Sequence, residues 1–371
     1  MKIKLLNKEF LTALNNVGKV ITAKSIDPIL SNVLIRVDNT NITFITTNLE
    51  QGVKNTVKGD IEIEPGEPKE VVLPFALLRE IISKFNNEEQ TEILVTSNKG
   101  MIRQRTSEYK FNCFNANAFA LLPEIEEKIK ITIPMKILKK LTENTIFAAS
   151  KREESRKEFK GILFNFKDNN LRFVATDSTC LALSNFPVEC AQEESFIIPW
   201  KALDILNKVE IKEETVDIIS DKNQISFNTP NVNILSLLIN GSFPPYEAII
   251  PKEDEFYAEV RKDELLPALD RVEVLARSST KKIVLTFSAG NLNIEAVLPE
   301  ISEGKESVKF EGTAELSVIL HGEKLINGVS HINDDIVVFG MNSPLHPIKI
   351  KGKSDDSYLY IIMPQKKTTT I

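Results

Sequence analysis

The chain has 371 residues, of which 42% are hydrophobic and 26% are charged, as is usual for globular proteins. At roughly 100–200 residues per domain, this length predicts two or three domains. There are 46 Lys and Arg residues against 52 Asp and Glu. The resulting net charge of −6 excludes a uniformly basic nucleic-acid coat, but it leaves room for a local basic surface.

The three cysteines, Cys113, Cys180 and Cys190, include no CxxC pair. A chain of this length can bury a core without disulfides, so the cysteine usage favours a reducing compartment. The N-terminal segment MKIKLLNKEF is charged from its second residue and lacks the apolar stretch of a secretion signal. We therefore expect a cytoplasmic protein.

The first elements in chain order are a helix, a hairpin and a second helix. The helix is KEFLTALNNVGKVI from Lys8, in which apolar residues three and four apart share one face. The hairpin is NVLIRVDNTNITFITT from Asn32, with alternating apolar residues on both sides of a turn at Asn39. In VVLPFALLREIIS, Pro74 is placed as the first residue of the second helix.

The same order of elements recurs twice. The first helix returns as MKILKKLTENTIFAA from Met135 and KDELLPALDRVEVLA from Lys262, which aligns Phe10 with Ile137 and Leu265. The hairpin returns as KGILFNFKDNNLRFVAT and KKIVLTFSAGNLNIEAV, and the second helix returns after Pro199 and after His321. The hairpins align without gaps, at offsets of 129 and 121 residues. A period this long predicts three domains rather than the turns of a solenoid, with limits at 1–127, 128–253 and 254–371.

Positive charge is concentrated on the predicted helices. With their flanks, the six helical segments carry 16 Lys and Arg against 9 Asp and Glu, although the whole chain is acidic. Helices that face one way would attract a polyanion despite the net charge. The alternative is that Lys and Arg are simply good helix formers on solvated faces.

Motifs of catalysis are absent from the sequence. It contains no GxxxxGK[ST], no GxGxxG and no GxSxG, and its three histidines are not spaced as a metal pair. We therefore expect no enzyme activity, no catalytic residue, no metal and no cofactor. One catalytic alternative stays open, a hydrolase in which Asp177 lies near Ser178 or Cys180. The competing interpretation of Asp177 is a carboxylate that caps a turn at a strand end.

Five segments resemble signatures of the bacterial DNA sliding clamps, the β subunits of DNA polymerase III. They are DPILSNVLI from Asp27, TNLE from Thr47, LRFVATD from Leu171, INGSFPPYEAIIP from Ile239 and YIIMP from Tyr360, and they occur in family order. The resemblance extends from Met1 to Pro364. It implies an α+β fold of three clamp domains, each with two helices packed on antiparallel sheets.

The resemblance also implies a function. Two family subunits join head to tail into a ring of six domains that encircles duplex DNA and slides along it. This processivity factor tethers the replicative polymerase, the clamp loader and repair proteins through short peptides with apolar anchors. Since closure of the ring retains the DNA, weak contacts that are independent of sequence suffice. By position, the DNA-facing residues are Lys24, Lys136, Lys140, Lys151, Arg152 and Lys201.

The family's peptide pocket maps onto residues that suit an apolar cleft. They are Arg156, Phe159, Thr176, Ser178, Thr179, Cys180, Leu181, Pro244, Ile249, Ile361, Ile362, Met363 and Pro364. The alternative is that Leu181, Ile249 and Ile362 are ordinary core. Family position also predicts a homodimer interface in which the strand of Phe111 and Cys113 meets Val274 and Leu275 of the partner, pairing two sheet edges.

The chain departs from the family pattern at two places. Ser178, Thr179 and Cys180 stand where the family often has Gly, His and Arg, so the pocket rim is less basic at Cys180. At the C-terminus, QKKTTTI follows the terminal MP. These departures motivate a second alternative, a scaffold of the same fold that recruits proteins but does not encircle DNA.

Overall fold

The computed structural model describes residues 1–21, 27–96, 99–126, 129–188, 193–298 and 300–366. By their contacts, they form two compact units, Met1–Lys139 with Lys201–Leu238, and Lys140–Trp200 with Ile239–Ile371. The predicted limit at 127/128 lies outside the described residues, and all three domain limits stay predictions.

The described residues contain six α-helices, two in each predicted domain. They are α1 (Asn7–Val17), α2 (Phe75–Ile82), α3 (Met135–Ile146), α4 (Trp200–Lys208), α5 (Lys262–Arg277) and α6 (Gly322–Ser330). The predicted apolar faces are buried, and the equivalent Leu78, Leu203 and Leu325 are fully buried. Pro74 is the cap before α2 rather than its first residue, because it is still paired in the preceding strand.

The alignment of the first helices is wrong by one residue in the second repeat. Ile137 is half-buried, whereas Leu138 and Thr142 are fully buried. The reason is that α3 begins at Met135, one residue later than the alignment of Phe10 with Ile137 implies for a helix equivalent to α1, which begins at Asn7. Thr142 is polar, so it gave no hydrophobic signal for the true face.

The described strands number 25 and are connected mainly as hairpins. In chain order they are β1 (Lys2–Leu6), β2 (Asn32–Asp38), β3 (Asn41–Thr47), β4 (Gln51–Lys58), β5 (Asp60–Glu62), β6 (Glu70–Pro74), β7 (Gln90–Thr96), β8 (Lys99–Gln104), β9 (Ser107–Asn112), β10 (Ile129–Pro134), β11 (Gly161–Lys167), β12 (Asn170–Thr176), β13 (Cys180–Pro187), β14 (Glu194–Pro199), β15 (Thr215–Ser220), β16 (Gln224–Asn228), β17 (Val232–Leu237), β18 (Phe256–Arg261), β19 (Lys282–Ser288), β20 (Asn291–Leu298), β21 (Ser302–Gly312), β22 (Leu316–His321), β23 (Ile336–Met341), β24 (Ile348–Gly352) and β25 (Tyr358–Ile362).

The first unit contains two antiparallel sheets. A five-stranded sheet has the order β5-β1-β7-β8-β9, and an eight-stranded sheet has the order β10-β15-β16-β17-β4-β3-β2-β6. In the eight-stranded sheet, β17 pairs with β4 and so joins strands of the first and second repeats. Phe10 of α1 lies on the sheet, with its ring 5.2 Å from that of Phe44.

The second unit contains one twelve-stranded sheet, with the order β14-β11-β12-β13-β25-β24-β23-β18-β21-β20-β19-β22. Here β13 pairs with β25, which repeats the β4–β17 pairing of the first unit. The helices α5 and α6 belong to this unit, and Leu265, Leu269 and Leu325 are fully buried. The expected α+β class, with helices packed on antiparallel sheets, is confirmed.

The three predicted hairpins form in the predicted register. Val37 pairs with Ile42, Phe166 with Leu171 and Phe287 with Leu292. Their turns use left-handed backbone conformations, at Asn39, at Asp168 and Asn169, and at Ala289 and Gly290.

Candidate functional site

A tight turn joins β12 to β13 and is held by side chains. Thr176 Oγ1 donates to the Cys180 carbonyl oxygen (2.6 Å) and accepts from the Ser178 amide (3.2 Å). Asp177 Oδ1 accepts from the amides of Thr179 (3.0 Å) and Cys180 (3.1 Å). This closed geometry places Ser178 at a φ of +76°, a left-handed conformation in which glycine is favoured.

The second oxygen of Asp177 binds a residue from the third repeat. Lys324, in the first turn of α6, donates from Nζ to Asp177 Oδ2 and to the Thr179 hydroxyl. Both charged side chains are about four-fifths buried, at 22% and 20% exposure. Burial opposes the charged carboxylate, but the hydrogen bond from Lys324 and those from Thr179 outweigh it and lower the pKa of Asp177 to about 2.

Beside this turn lies a cavity of about 370 Å³. The last described residues of the chain form one wall, because the Met363 amide donates to the Thr179 carbonyl oxygen (2.9 Å) and the Gln365 amide to that of Ile319 (2.7 Å). The cavity is lined by Ser150, Arg152, Ser155, Arg156, Phe159, Asp177, Ser178, Thr179, His321, Lys324, Ile362, Met363, Pro364 and Gln365. Its surface is therefore mixed, with cations, hydroxyls and a few apolar groups.

An apolar cluster adjoins the strands that end at the cavity. It contains the buried residues Leu163, Val174, Leu181, Leu183, Ile197, Tyr246 and Ile361. The partly buried Phe243 and Ile250 pack against it. Polar and apolar features are thus adjacent, as in many ligand-binding pockets.

The structure brings seven of the thirteen predicted pocket residues together at the cavity. They are Arg156, Phe159, Ser178, Thr179, Ile362, Met363 and Pro364. Thr176, Cys180, Leu181 and Ile361 are at most 4% exposed and lie beneath it. Leu181 and Ile362 are 2% and 1% exposed, which is the burial that the core alternative predicts, although Ile362 also borders the cavity. Pro244 and Ile249 lie outside the cavity lining, and Ile249 is 41% exposed, which is not a core position.

Sequence reasoning missed several cavity residues. Ser150, Ser155, His321, Lys324 and Gln365 were not predicted as pocket residues, and Asp177 was considered only as a turn cap or a catalytic acid. One feature of the repeat could have identified His321 as a cavity residue. It occupies the position before the second helix where the other two repeats have Pro74 and Pro199. Burial, followed by the nearby charge of Lys324, lowers the pKa of His321, so its imidazole is neutral at pH 7.

The turn does not have the chemistry of a hydrolase. Asp177 caps the turn, and a carboxylate with a pKa of about 2 is a poor base at neutral pH. Burial, followed by the charge of Asp177, raises the pKa of the Cys180 thiol to about 12, which leaves almost no nucleophilic thiolate at pH 7. Both values argue against the hydrolase alternative.

The residues predicted to face DNA are exposed where they are described. Lys136 and Lys140 lie on α3, and Lys201 lies in the first turn of α4. The ammonium of Lys151 is 5.4 Å from the ring centroid of Trp200. Arg152 is exposed and lines the cavity. Lys24 lies outside the described residues.

The predicted interface residues lie on or next to a strand in the first repeat and on a helix in the third. Phe111 is on β9, the edge strand of its sheet, and the half-buried Cys113 directly follows that strand. Val274 and Leu275 are on helix α5, as the predicted helix from Lys262 implies, so they can lie beside a sheet edge without forming one, and the interface stays a prediction. The edge beside them is β21, which pairs with β18 only over residues 310–312, and a Cβ on Gly304 of β21 would lie 2.8 Å from Leu275 Cδ1.

Comparison with known proteins covers nearly the whole chain. Family models of the DNA polymerase III beta subunit match in order: the N-terminal domain at residues 1–123, the central domain at 132–245 and the C-terminal domain at 247–366. A beta sliding clamp of Staphylococcus aureus is 29% identical over 384 residues, covering 98% of this chain and 99% of the relative. One from Halalkalibacterium halodurans is 27% identical over 368 residues, covering 96% and 97%.

Solved structures show the same fold. The crystal structure of the DNA polymerase sliding clamp from Bacillus subtilis is 26% identical, with a TM-score of 0.91 and coverage of 99% of both chains. That of the DNA polymerase III subunit beta from Pseudomonas aeruginosa is 25% identical, with a TM-score of 0.91 and coverage of 99% and 100%. The P. aeruginosa clamp has also been solved bound to griselimycin.

Three repeated domains of this architecture define a DNA clamp, a processivity factor of replication that is not an enzyme. The chain belongs to the family of bacterial DNA polymerase III beta subunits, whose curated relatives carry the name beta sliding clamp. Among the described helices, none is both long and apolar enough to cross a membrane.

Proposed function

We propose that two copies of this chain close into a six-domain ring around duplex DNA and that each copy holds partner proteins through the cavity beside the 176–180 turn. The family resemblance implies a homodimer that binds DNA, the polymerase and other proteins, and the relatives are named beta sliding clamps. The observation that carries the proposal for this chain is the cavity itself, which adjoins an apolar cluster and is walled by the end of β25.

The thirteen predicted residues divide the proposed pocket into two parts. Phe159, Met363 and Pro364 supply apolar surface inside the cavity, while the buried Leu181, Ile361 and Ile362 support it from below. Pro244 and Ile249 extend the apolar surface beyond the cavity. Met363 is suited to partners of different shape because its thioether side chain is unbranched and flexible.

In this proposal, exposed Lys and Arg side chains on the short helices and their flanking residues contact the DNA. Lys136, Lys140, Lys151 and Lys201 are each exposed, and Lys24 and Arg152 complete the proposed set. A few separate cations give attraction without tight binding to phosphate, as sliding requires.

Ring closure is proposed at two free sheet edges. The edge strand β9, which carries Phe111, would pair with β21 of the partner copy and thereby cover both edges. Val274, which is 52% exposed on α5, would pack beside Phe111 and Cys113, with Leu275 filling the space over Gly304.

Two further assignments belong to this proposal. The three clamp domains would have limits near 1–127, 128–253 and 254–371. The protein would act in the cytoplasm, where bacterial DNA is replicated and where its cysteines stay reduced.

Griselimycin tests the pocket, because the P. aeruginosa clamp binds this compound. Titration calorimetry should show binding of one griselimycin per chain, lost in a Met363→Asp variant that adds a carboxylate to the cavity wall. Leu345→Asp, at a position 57% exposed and outside the cavity, is the matched control and should bind normally. Equal binding by both variants would exclude this cavity as the site.

A further inference from the structure

The turn beside the cavity has a counterpart in the first repeat. Thr47 Oγ1 donates to the Gln51 carbonyl oxygen (2.9 Å) and accepts from the Leu49 amide (3.0 Å), as Thr176 does in its own turn. Leu49 has a φ of +72°, matching Ser178. The Leu237 amide donates to the Glu50 carbonyl oxygen (2.8 Å), just as that of Met363 donates to Thr179.

The two turns differ in the residue that caps them. In the first repeat the cap is Asn48, whose Oδ1 accepts from the amides of Glu50 (3.0 Å) and Gln51 (2.7 Å). Its Nδ2 donates to Gln51 Oε1 (3.0 Å) inside the same turn. A neutral amide oxygen is therefore enough to build this turn, so the charge of Asp177 and its bond to Lys324 serve another purpose.

The charged side chains that line the cavity indicate a role for the ion pair between Asp177 and Lys324. Four ionised side chains line it at neutral pH, and Asp177 is the only acid among the lining residues. Since Lys324 binds Asp177, those two charges cancel. Within the described residues, neither Arg152 nor Arg156 forms an ion pair with a carboxylate, and the acidic Glu153 and Glu154 of the same loop do not line the cavity.

We propose that Lys324 is a specificity-determining residue of the pocket: by neutralising Asp177, it leaves the two arginines as the net charge of the cavity and selects partner peptides with an Asp or Glu side chain. This inference rests on the proposed peptide pocket and adds the chemistry of the partner.

The first test selects peptides from a library that contains acidic, basic and neutral residues at every position. A random seven-residue peptide library is panned against the wild-type chain, with griselimycin added to elute the binders. The proposal predicts enrichment of Asp and Glu over Lys and Arg. Enrichment of Lys and Arg, or a neutral set, would overturn it. If griselimycin elutes no peptide, the proposed pocket itself fails and this inference falls with it.

The second test separates charge from structure. The best binder is made in two forms that differ only by Glu or Gln, and the ratio of their affinities is measured by fluorescence anisotropy. Lys324→Met exposes the charge of Asp177, so the preference for Glu should fall about threefold to tenfold. Asp177→Asn should raise the preference, and its turn is expected to form because Asn48 forms the same one.

The double variant Asp177→Asn/Lys324→Met is decisive. It restores the net charge of the wild-type cavity, so the Glu preference should return to within about twofold of wild type. If the ion pair between Asp177 and Lys324 only stabilised the structure, the double variant would show no such recovery. Lys4→Met breaks an ion pair with Glu92 (3.0 Å) that is also largely buried, and neither residue lines the cavity, so it should leave the preference unchanged. A ratio that stays constant across all four variants would refute the role of Lys324.

Discussion

Acid should remove stability that Asp177 contributes to the second unit. Its pKa is about 2 in the folded chain, against 3.8 for an ordinary aspartate. A depressed pKa stabilises the fold above the ordinary value, and this stabilisation is lost as the pH falls through the folded pKa. At about 1.4 kcal/mol per pH unit, and allowing for solvent at this partly exposed pair, the contribution is about 1–2 kcal/mol. Roughly half of it should disappear between pH 5 and pH 3.

Urea unfolding of the wild type and of Asp177→Asn measures this contribution directly. Trp200, the single tryptophan, reports unfolding by its fluorescence in the same unit as Asp177. Other carboxylates titrate in both proteins, so the difference between them isolates Asp177. At pH 7 the wild type should be more stable by about 1–2 kcal/mol, and this difference should shrink to roughly half by pH 3. A difference that is independent of pH would refute the charge-based explanation.

Three further changes test the packing, the turn and the interface. Gly328→Ala should lower the free energy of unfolding by about 1–3 kcal/mol in urea titrations, because the new Cβ would overlap the buried ring of Tyr360. Ser178→Gly should raise the melting temperature, since glycine relieves a left-handed conformation worth about 0.5–1 kcal/mol; an unchanged value would show that the turn is unstrained. Val274→Asp should convert a dimer to a 41.7 kDa monomer in sedimentation equilibrium, and a dimer that persists would exclude α5 from the interface.

The sequence predicts most of the fold because the repeats express periodic patterns. Alternating apolar residues fix the faces of the hairpin strands, and left-handed turn residues such as Asn39 and Gly290 fix their register. The pattern fails at α3, where a one-residue shift put Ile137 in place of Leu138. It also could not locate the sheet edge next to Leu275, because a free edge depends on which strand β21 is paired with and not on its composition.

The candidate site is only partly predictable for a related reason. The turn at Asp177 is local, and its hydrogen bonds join residues at most four positions apart. Lys324 lies 147 residues away from Asp177, on α6. The spacing of apolar residues in that helix predicts only which face is buried, and it says nothing of the partners of Lys324. A bond across that separation depends on how β13 and β25 pair, so no spacing within the sequence indicates it.

Topological retention on DNA tests the central claim most directly. The chain is placed on nicked circular DNA by a clamp loader and ATP, filtered at high salt, and the DNA is then cut once with a restriction enzyme. A closed ring predicts two chains per loaded DNA, stable in salt while the circle is intact and released when the ends are free. A protein that leaves the intact circle in salt, or that stays on the linear DNA, would contradict the ring and favour a scaffold that does not encircle DNA.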